Sequence, residues 1–522
     1  SDKTSYYIGF SWFDQDGVLP KSNYERYSVK VNNEYRLTDR IRFGNNITVS
    51  KENLINPPGV IANLTRSWPT EVPYNDDGSF ADVRGGGNPL AAIEYTNSFG
   101  EALRGVGGIY GEVDLLENLT FKSNFGFDYR ESDAISFTPV YYVGPLQNNE
   151  QSRVTQGRSE NSQWLWEQTL NYKREIGRHR LDVLAGYTAQ ENNYEFLSGT
   201  VEDIIDVDPS VWYLSGGNLN EVVINQDINT DRLLSYLFRV NYTFNNKYLF
   251  TATYRKDGST KFGSNKKYGD FPSFGAGWNI HNEEFMNGIG LLNRLKLRAS
   301  WGLTGNEKIP GRSQYATINP IYTAVFGEDE ALVQGSTYDR PGNPNLQWES
   351  SEQTDIGLEF GMLNNRLTGE FDYYNRITRD ALIEVVLPGH LGAGSFQYQF
   401  NNVGDLLNRG LEATLNWNDD IGEISYGVGG NISTVYNEVL KVSATAAGGV
   451  RSLPGGSLGN GQLVTITEPG TPVGAFYGYN VIGIFQTQDE VDASATTGSQ
   501  APGDLKFQDV NDDGIIDAND RV

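Results

Sequence analysis

Cysteine is absent from this 522-residue sequence, and histidine occurs only three times, as His179, His281 and His390. Without thiolates the chain can form no disulfide, no iron–sulfur cluster and no cysteine-ligated zinc site. The three histidines are scattered, and no pair has the His-x-x-x-His spacing. A histidine-based metal centre or catalytic triad is therefore not expected.

Positive charge is also scarce. The sequence has 41 Lys and Arg against 66 Asp and Glu, which gives a formal net charge of −25. Binding of nucleic acid needs clustered cations that neutralise phosphates, so no nucleic acid partner is expected. No run approaches the roughly eighteen apolar residues of a transmembrane helix. A transmembrane β-barrel stays compatible with the sequence, because half of each strand faces a polar interior.

Residue pairs that suggest catalysis do not converge. Neighbouring acids such as Glu283-Glu284 and Asp419-Asp420 would point to opposite faces of a strand, whereas general acid–base chemistry needs two carboxylates at one site. The glycine runs at 85–87 and 455–456 lack the lysine and the strand–helix context of a phosphate loop. We therefore do not expect an enzyme.

The sequence is rich in glycine, with 59 residues, and in aromatic side chains, which make up 12% of the chain. From Tyr236 to Phe244, alternate positions are apolar, and the positions between them include Arg239, Asn241 and Thr243. The same pattern restarts after the turn residues 245–247. This period of two predicts a hairpin whose apolar face, Tyr236 to Phe244, meets lipid and whose other face lines a polar interior.

About fifteen segments alternate in this way, each about 10–14 residues long, which exceeds the length common in soluble sheets. Their connections alternate between short and long. We predict short turns at 38–39, 117–118, 176–177, 245–246, 364–365 and 419–420, and long segments at 53–106, 133–161, 192–230, 305–348, 382–405 and 441–475. Outer-membrane barrels have short periplasmic turns and long extracellular loops. The expected fold is therefore all-β, a transmembrane antiparallel barrel with long extracellular loops.

A large soluble β-protein is the alternative fold. A propeller would repeat a motif at about 40–50 residues, and no such repeat is present. The apolar face is also rich in Tyr, Phe and Trp near the strand ends, as in the aromatic girdles of membrane barrels. These features favour the membrane barrel over a soluble carbohydrate-binding β-protein.

Several phrases along the chain resemble the SusC/RagA-like TonB-dependent outer-membrane transporters. They follow one another in the family's order and extend over essentially the whole chain: Arg255–Ser259 (RKDGS), Leu295–Gly302 (LKLRASWG), Asn343–Glu349 (NPNLQWE), Asn408–Glu412 (NRGLE) and Gly474–Tyr479 (GAFYGY).

The resemblance implies a multi-pass protein of the bacterial outer membrane, with a 22-stranded barrel plugged by an N-terminal domain. It also implies TonB as the energy source, a SusD-like surface lipoprotein as partner, and uptake of oligosaccharides or peptides. No plug or TonB-contacting segment precedes Ser1, and the chain ends before the final strands of the pattern. We therefore expect residues 1–522 to be an incomplete barrel domain. A structural or docking subunit of a surface or secretion assembly is the alternative function.

The sharpest local motif is the acidic segment 509–520. Oxygen-bearing side chains occupy the positions of an EF-hand calcium loop, with glycine at position six and Asp in place of Glu at position twelve. We predict that the loop binds Ca²⁺ as a structural ion within an extracellular loop. The predicted ligands are the side chains of Asp509, Asn511, Asp513, Asp517 and Asp520 and the backbone carbonyl of Ile515. An acidic turn without an ion is the alternative.

Two further features lie outside the strand pattern. The aromatic residues of the long loops, Trp68, Tyr74, Trp212, Tyr213 and Tyr322, suit contact with a sugar ring or a peptide, and also loop packing. We select Trp68, Trp212 and Tyr213 as candidate substrate-binding residues. Residues 282–286 form the one plausible short helix, either a periplasmic contact or a simple turn.

Overall fold

The computed structural model describes residues 3–56, 58–204, 208–319, 323–387, 398–442, 453–458 and 462–522. Strands dominate these residues, and the chain divides into two compact units. Unit 1 comprises residues 1–175, 181–239 and 255–260; unit 2 comprises residues 176–180, 240–254 and 261–522.

Unit 1 is built on long antiparallel strands. Its strands are β1 (Thr4–Asp16), β2 (Asn23–Thr38), β3 (Ile41–Ile55), β4 (Asn97–Leu116), β5 (Leu119–Thr138), β6 (Tyr141–Gly144), β7 (Gln147–Asn149), β8 (Arg153–Ile176), β9 (His179–Glu202) and β10 (Val223–Phe244). The order in the main sheet is β1-β2-β3-β4-β5-β8-β9-β10, and β6 pairs with β7 alone. The connections contain helices α1 (Ile61–Arg66) and α2 (Pro89–Tyr95) and 3-10 turns at Pro209–Val211, Leu214–Gly216 and Leu219–Glu221.

Unit 2 continues the same architecture. Its strands are β11 (Tyr248–Ser259), β12 (Tyr268–Asn279), β13 (Leu292–Asn306), β14 (Thr317–Asn319), β15 (Thr323–Phe326), β16 (Ala331–Gln334), β17 (Thr337–Arg340), β18 (Glu349–Met362), β19 (Leu367–Val386), β20 (Tyr398–Ile421), β21 (Ile424–Ser433), β22 (Tyr436–Val442), β23 (Leu453–Pro454), β24 (Thr465–Thr467), β25 (Ala475–Phe476), β26 (Val481–Ile484) and β27 (Leu505–Phe507). The main-sheet order is β11-β12-β13-β18-β19-β20-β21, with β22 also paired to β20. Strands β10 and β11 contribute residues to both units.

The short connections of unit 2 are compact turns. Helix α3 (Gln488–Asp492) and 3-10 turns at Ile280–Asn282, Glu284–Met286 and Ala518–Asp520 complete the elements. The predicted helix over residues 282–286 is thus two 3-10 turns, interrupted at Glu283, whose backbone is extended (φ −78°, ψ 148°). The Glu283 side chain, between the two turns, accepts hydrogen bonds from three donors.

The alternation of hydrophobic residues predicted the hairpins correctly but not all of their ends. The turns near residues 38, 117, 176, 245 and 364 lie where the sequence placed them. The turn predicted at 419–420 is wrong, because β20 continues through Asp419 and Asp420, which pair with Tyr426 and Ser425. The chain reverses after Ile421, where Gly422 has a φ of 65°, a backbone conformation that glycine adopts without steric cost.

Strands β1, β11, β12, β18 and β21 have the expected length, whereas many of the others are longer. We predicted about 10–14 residues each from the apolar alternation, whereas β4, β5 and β19 have 20 residues and β8, β9 and β20 have 24. Polar cross-strand pairs extend them, such as Arg104–Asp128 at 2.6 Å and Arg130–Glu52 at 2.8 Å. Charged residues interrupt the alternation of apolar side chains, but the backbone hydrogen bonds between neighbouring strands continue past them. The alternation alone therefore underestimates the length of the strands.

Register gives each long strand two distinct faces. On one face, Phe10 pairs with Val29 and Val29 with Val49, and in unit 2 Phe274 pairs with Trp301. We call this the apolar face. Many of its side chains are exposed, including Phe10 at 71%, Val49 at 46% and Phe274 at 56%. The opposite face, the polar face, carries the ion pairs described below for both units.

The buried apolar clusters lie beyond the apolar faces, where connections pack on the extended strand ends. In unit 1 the cluster consists of Phe137, Val154, Val201, Ile204 and Trp212. In unit 2 it consists of Phe262, Ile309 and Leu346. Among the described helices, none is long and apolar enough to cross a membrane.

Candidate functional site

The polar face of unit 2 carries a network of charges on β13, β18 and β19. Lys296 Nζ lies 2.9 Å from Glu359, which Arg294 also contacts. Arg298 Nη2 lies 2.7 Å from Asp372 and contacts Glu370 as well. The eight-residue phrase Leu295–Gly302, which contains Lys296 and Arg298, carried a family resemblance in the sequence, but its charges gave no sign of their partners on other strands.

The network depends on a missing side chain. Register places Arg298 opposite Gly357, and Gly357 opposite Asp372. A Cβ built on Gly357 would overlap both Asp372 Oδ1 and Arg298 Nε. Because β18 has no side chain here, Arg298 reaches across it to a carboxylate two strands away.

Unit 1 has a similar polar face. Glu52 is only 8% exposed and pairs with Arg130, while Arg104 donates from Nε and Nη2 to the two oxygens of Asp128. Tyr110 donates to Glu34 at 3.1 Å. Charged and hydroxyl groups of this kind bind polar molecules reversibly. Both units therefore carry paired charges along the polar face of their strands.

The three candidate substrate-binding aromatics lie in different environments. Trp68 is 58% exposed and Tyr213 is 61% exposed. Trp212 is 3% exposed, with its ring stacked on Phe137 at a centroid distance of 4.6 Å. In this conformation Trp68 and Tyr213 present surface to a ligand, and Trp212 fills the unit 1 cluster. Substrate contact by these residues stays a prediction, and Tyr322 lies outside the described residues.

The acidic segment 509–520 folds as a tight loop in which its oxygens accept backbone N–H groups. Asp509 Oδ2 accepts from Gly514 at 2.8 Å, and Asp513 Oδ1 accepts from Ile515 at 2.9 Å. The two oxygens of Asp520 accept from Val510 and Asp517, each at 2.8 Å. These amides of Asp517 and Val510 hold the pKa of the Asp520 carboxyl below its usual range.

The donor set of this loop fits a hard cation such as Ca²⁺. Gly514 has a φ of 83°, which gives the turn that the motif requires at position six. The buried Oδ1 of Asp509 has no hydrogen-bond donor among the described residues. The side-chain oxygens of Asn511 and Asp517 accept hydrogen bonds from the backbone N–H groups of Asp513 and Asn519, two residues further along the chain. Within the described residues, no group of three His, Cys, Asp or Glu side chains is drawn together as a metal cluster, so calcium binding stays a prediction.

One buried acidic residue with several partners escaped the sequence reasoning. Glu283, set aside as half of an adjacent acidic pair, is 8% exposed. Its carboxylate accepts from Lys247 at 2.8 Å, Tyr248 at 2.7 Å and Trp278 at 3.0 Å. The lysine and the two aromatic donors hold its pKa down at about 2. Only the tertiary fold assembles these partners, although Tyr and Trp at facing strand ends were a usable signal.

Comparison with known proteins places this geometry in a family. The family model described as TonB dependent receptor-like, beta-barrel, matches residues 23–468. TonB-dependent receptor P26 of Formosa agariphila is 31% identical over 534 residues, covering 100% of this chain and 52% of the relative. TonB-dependent receptor SusC of Bacteroides thetaiotaomicron is 28% identical over 560 residues, covering 99% of this chain and 52% of the relative.

Solved structures agree with the family assignment. The RagAB peptide transporter superposes with a TM-score of 0.82 at 23% identity, covering 100% of this chain and 57% of that one. At this identity the likeness shows the fold. The chain spans about half the length of the curated relatives it matches. The matched residues, the paired antiparallel strands and their two faces lead to one conclusion: the chain belongs to the TonB-dependent receptor β-barrel family of the bacterial outer membrane, and it is similar to SusC in sequence and to the RagAB transporter in fold.

Proposed function

We propose that the protein imports an oligomeric nutrient across the outer membrane with energy supplied through TonB. The observation that carries the proposal is the family match over residues 23–468. The charged polar faces of both units support it, because a passage for a hydrated solute needs such a lining. A plug and a TonB-contacting segment are also needed, and the proposal assigns them to the full-length protein.

The proposed substrates are oligosaccharides or peptides. The solved relative RagAB is a peptide transporter, and one sequence relative is the TonB-dependent receptor SusC. Trp68 and Tyr213 expose aromatic rings on connections of unit 1, and such rings stack on sugars and on peptide side chains. These contacts are reversible, so the proposed role involves no covalent chemistry.

The proposed partner is a SusD-like surface lipoprotein that contacts the long connections. The segment between β3 and β4 covers residues 56–96, and it exposes Ile61, Leu64 and Val72 at 46–66%. Loops of this length are usually functional and need support to stay ordered. A lipoprotein lid would provide that support.

Uptake by the full-length protein in its own membrane tests the import proposal. Cells that express it should accumulate fluorescently labelled oligosaccharides or peptides of one class. Accumulation should stop when TonB is deleted or the proton gradient is collapsed. A protein that assembles with its lipoprotein but gives no TonB-dependent uptake of any pool would contradict import and favour the docking-subunit alternative.

We also propose that the 509–520 loop binds one Ca²⁺ as a structural ion. Asp509, Asn511, Asp513, Asp517 and Asp520, with the Ile515 carbonyl, would hold it. Support comes from the left-handed backbone at Gly514 and from the unpartnered Oδ1 of Asp509. A bound cation would offset the repulsion among the five aspartates of this small loop and keep the loop rigid.

A further inference from the structure

The connection between β12 and β13 differs from the other short connections. It exposes a cluster of large apolar side chains, Phe285 at 63%, Ile289 at 45% and Leu291 at 51%. The neighbouring turns expose fewer such side chains: residues 245–247 read Asn-Asn-Lys, and residues 363–366 read Leu-Asn-Asn-Arg, with Leu363 41% exposed. Such a cluster on a short turn indicates an interaction surface.

Glu283 fixes where this connection lies. Its carboxylate is bound by Tyr248 and Trp278, two side chains of the apolar face. Trp278 pairs in register with Leu297, and the Tyr248 ring stacks on Phe244 at 6.4 Å. The carboxylate therefore holds residues 280–286 against the rim of the apolar face rather than against the polar face.

Phe285 extends the apolar face past its last strand residue. Its ring lies edge-on to Trp278, with centroids 6.5 Å apart and planes at 69°. Ile289 and Leu291 follow on the same connection, before β13 begins at Leu292. The exposed apolar surface therefore continues from the apolar face, through Trp278, onto Phe285, and Ile289 and Leu291 are exposed on the same connection.

We propose that residues 284–291 insert into the boundary between headgroups and acyl chains, with Phe285, Ile289 and Leu291 as a lipid anchor. Tyr and Trp concentrate at this depth, because one end of each side chain is apolar and the other can hydrogen-bond. Lys247, the lysine next to this surface, forms an ion pair with Glu283. Its continuity with the lipid-facing face selects lipid over a soluble partner. The anchor does not depend on what the protein transports.

The absence of cysteine from these 522 residues makes a direct test practical. In the full-length protein, with any other cysteine replaced by serine, Phe285→Cys, Ile289→Cys and Leu291→Cys would each carry an environment-sensitive fluorophore. The protein would be reconstituted into phospholipid vesicles containing nitroxide-labelled lipid. We expect quenching at least twofold stronger at these three positions than at Asn364→Cys on a polar turn.

Two outcomes would overturn the proposal. One is quenching at 285, 289 and 291 no stronger than at Asn364→Cys in a protein that migrates as a folded barrel. The other is a buried fluorophore in native membranes that becomes water-exposed in pure lipid vesicles, which would assign the surface to a protein partner. Glu283→Gln in the labelled Phe285→Cys protein should reduce the quenching, because it weakens the contact that holds the turn at the rim. Glu284→Gln, on the exposed neighbour, should leave it unchanged.

Discussion

At the residue scale, the absence of a side chain at Gly357 determines the polar face of unit 2. Arg298 and Asp372 occupy the space that a Cβ would need. We predict that Gly357→Ala lowers the free energy of unfolding by about 1–3 kcal/mol, as overpacking of a filled site does. Denaturant unfolding in detergent micelles measures this.

The matched control is Gly430→Ala on β21, where a Cβ meets nothing within 4 Å. This control should change the unfolding free energy much less. If both substitutions lower the unfolding free energy equally, the effect at Gly357 comes from replacing a strand glycine and not from displacing the Arg298–Asp372 contact.

The acidic loop gives a second residue-scale prediction. Asp513→Ala should abolish the heat of Ca²⁺ binding to the intact protein, because it removes a side-chain ligand at position five of the loop. Isothermal titration calorimetry provides the measurement. Asp512→Asn removes the same charge from a position that the motif does not use, and asparagine tolerates its φ of 57°. If both substitutions weaken binding equally, general charge and not a defined site attracts the ion.

Trp212 and Trp68 should respond in different ways to the same substitution. Trp212→Ala removes a ring 3% exposed and should cost about 3–5 kcal/mol of stability. Trp68→Ala removes an exposed ring and should leave stability unchanged within about 0.5 kcal/mol while weakening substrate binding. Thermal unfolding and binding of the labelled substrate separate the two effects. Loss of stability in Trp68→Ala would argue against its exposed position.

At the element scale, the β12–β13 connection is held by one carboxylate with three donors. Lys247, Tyr248 and Trp278 depress the pKa of Glu283 from the model-compound value of 4.5 to about 2. A depressed pKa stabilises the fold above the unfolded-state value, and the contribution is lost as pH falls through the folded-state value. Stability should therefore decrease between about pH 4.5 and pH 2.

Glu283→Gln should flatten this part of the pH profile, because glutamine does not titrate. Unfolding temperatures of the two proteins measured from pH 6 to pH 2.5 test it. Glu284→Gln, on the exposed neighbouring residue, should keep the wild-type slope. An unchanged slope in Glu283→Gln would show that other carboxylates dominate acid unfolding.

Local sequence predicted the elements well where one face was continuously apolar. The turn at Asn245–Lys247 followed from alternation on both sides of it. The turn at residues 419–420 did not, because two adjacent aspartates resemble a turn even when cross-strand pairing keeps them in β20. Aspartate is favoured in turns for its local hydrogen bonds, and here the ladder overrides that preference.

At the scale of the whole molecule, the family and the strand order could be predicted from sequence, and the partners of charged residues could not. The phrase containing Lys296 and Arg298 marked the family, but Glu359, Glu370 and Asp372 lie more than sixty positions away. The burial of Trp212 likewise depends on Phe137, which only the fold brings close. Contacts between distant strands therefore required the structure.

The missing side chain at Gly357 also affects which register β18 adopts against β13 and β19 during folding. The residues two positions before and after Gly357 on β18, Asp355 and Glu359, lie on the same face of the strand as Gly357. A shift of β18 by two residues against its neighbours would therefore keep its apolar side chains on the apolar face. Hydrophobic patterning alone would not reject that error. The slip would put a carboxylate where the glycine belongs, beside Asp372, and close the opening through which Arg298 passes. The glycine thus selects one alignment of three strands from those that the membrane would tolerate.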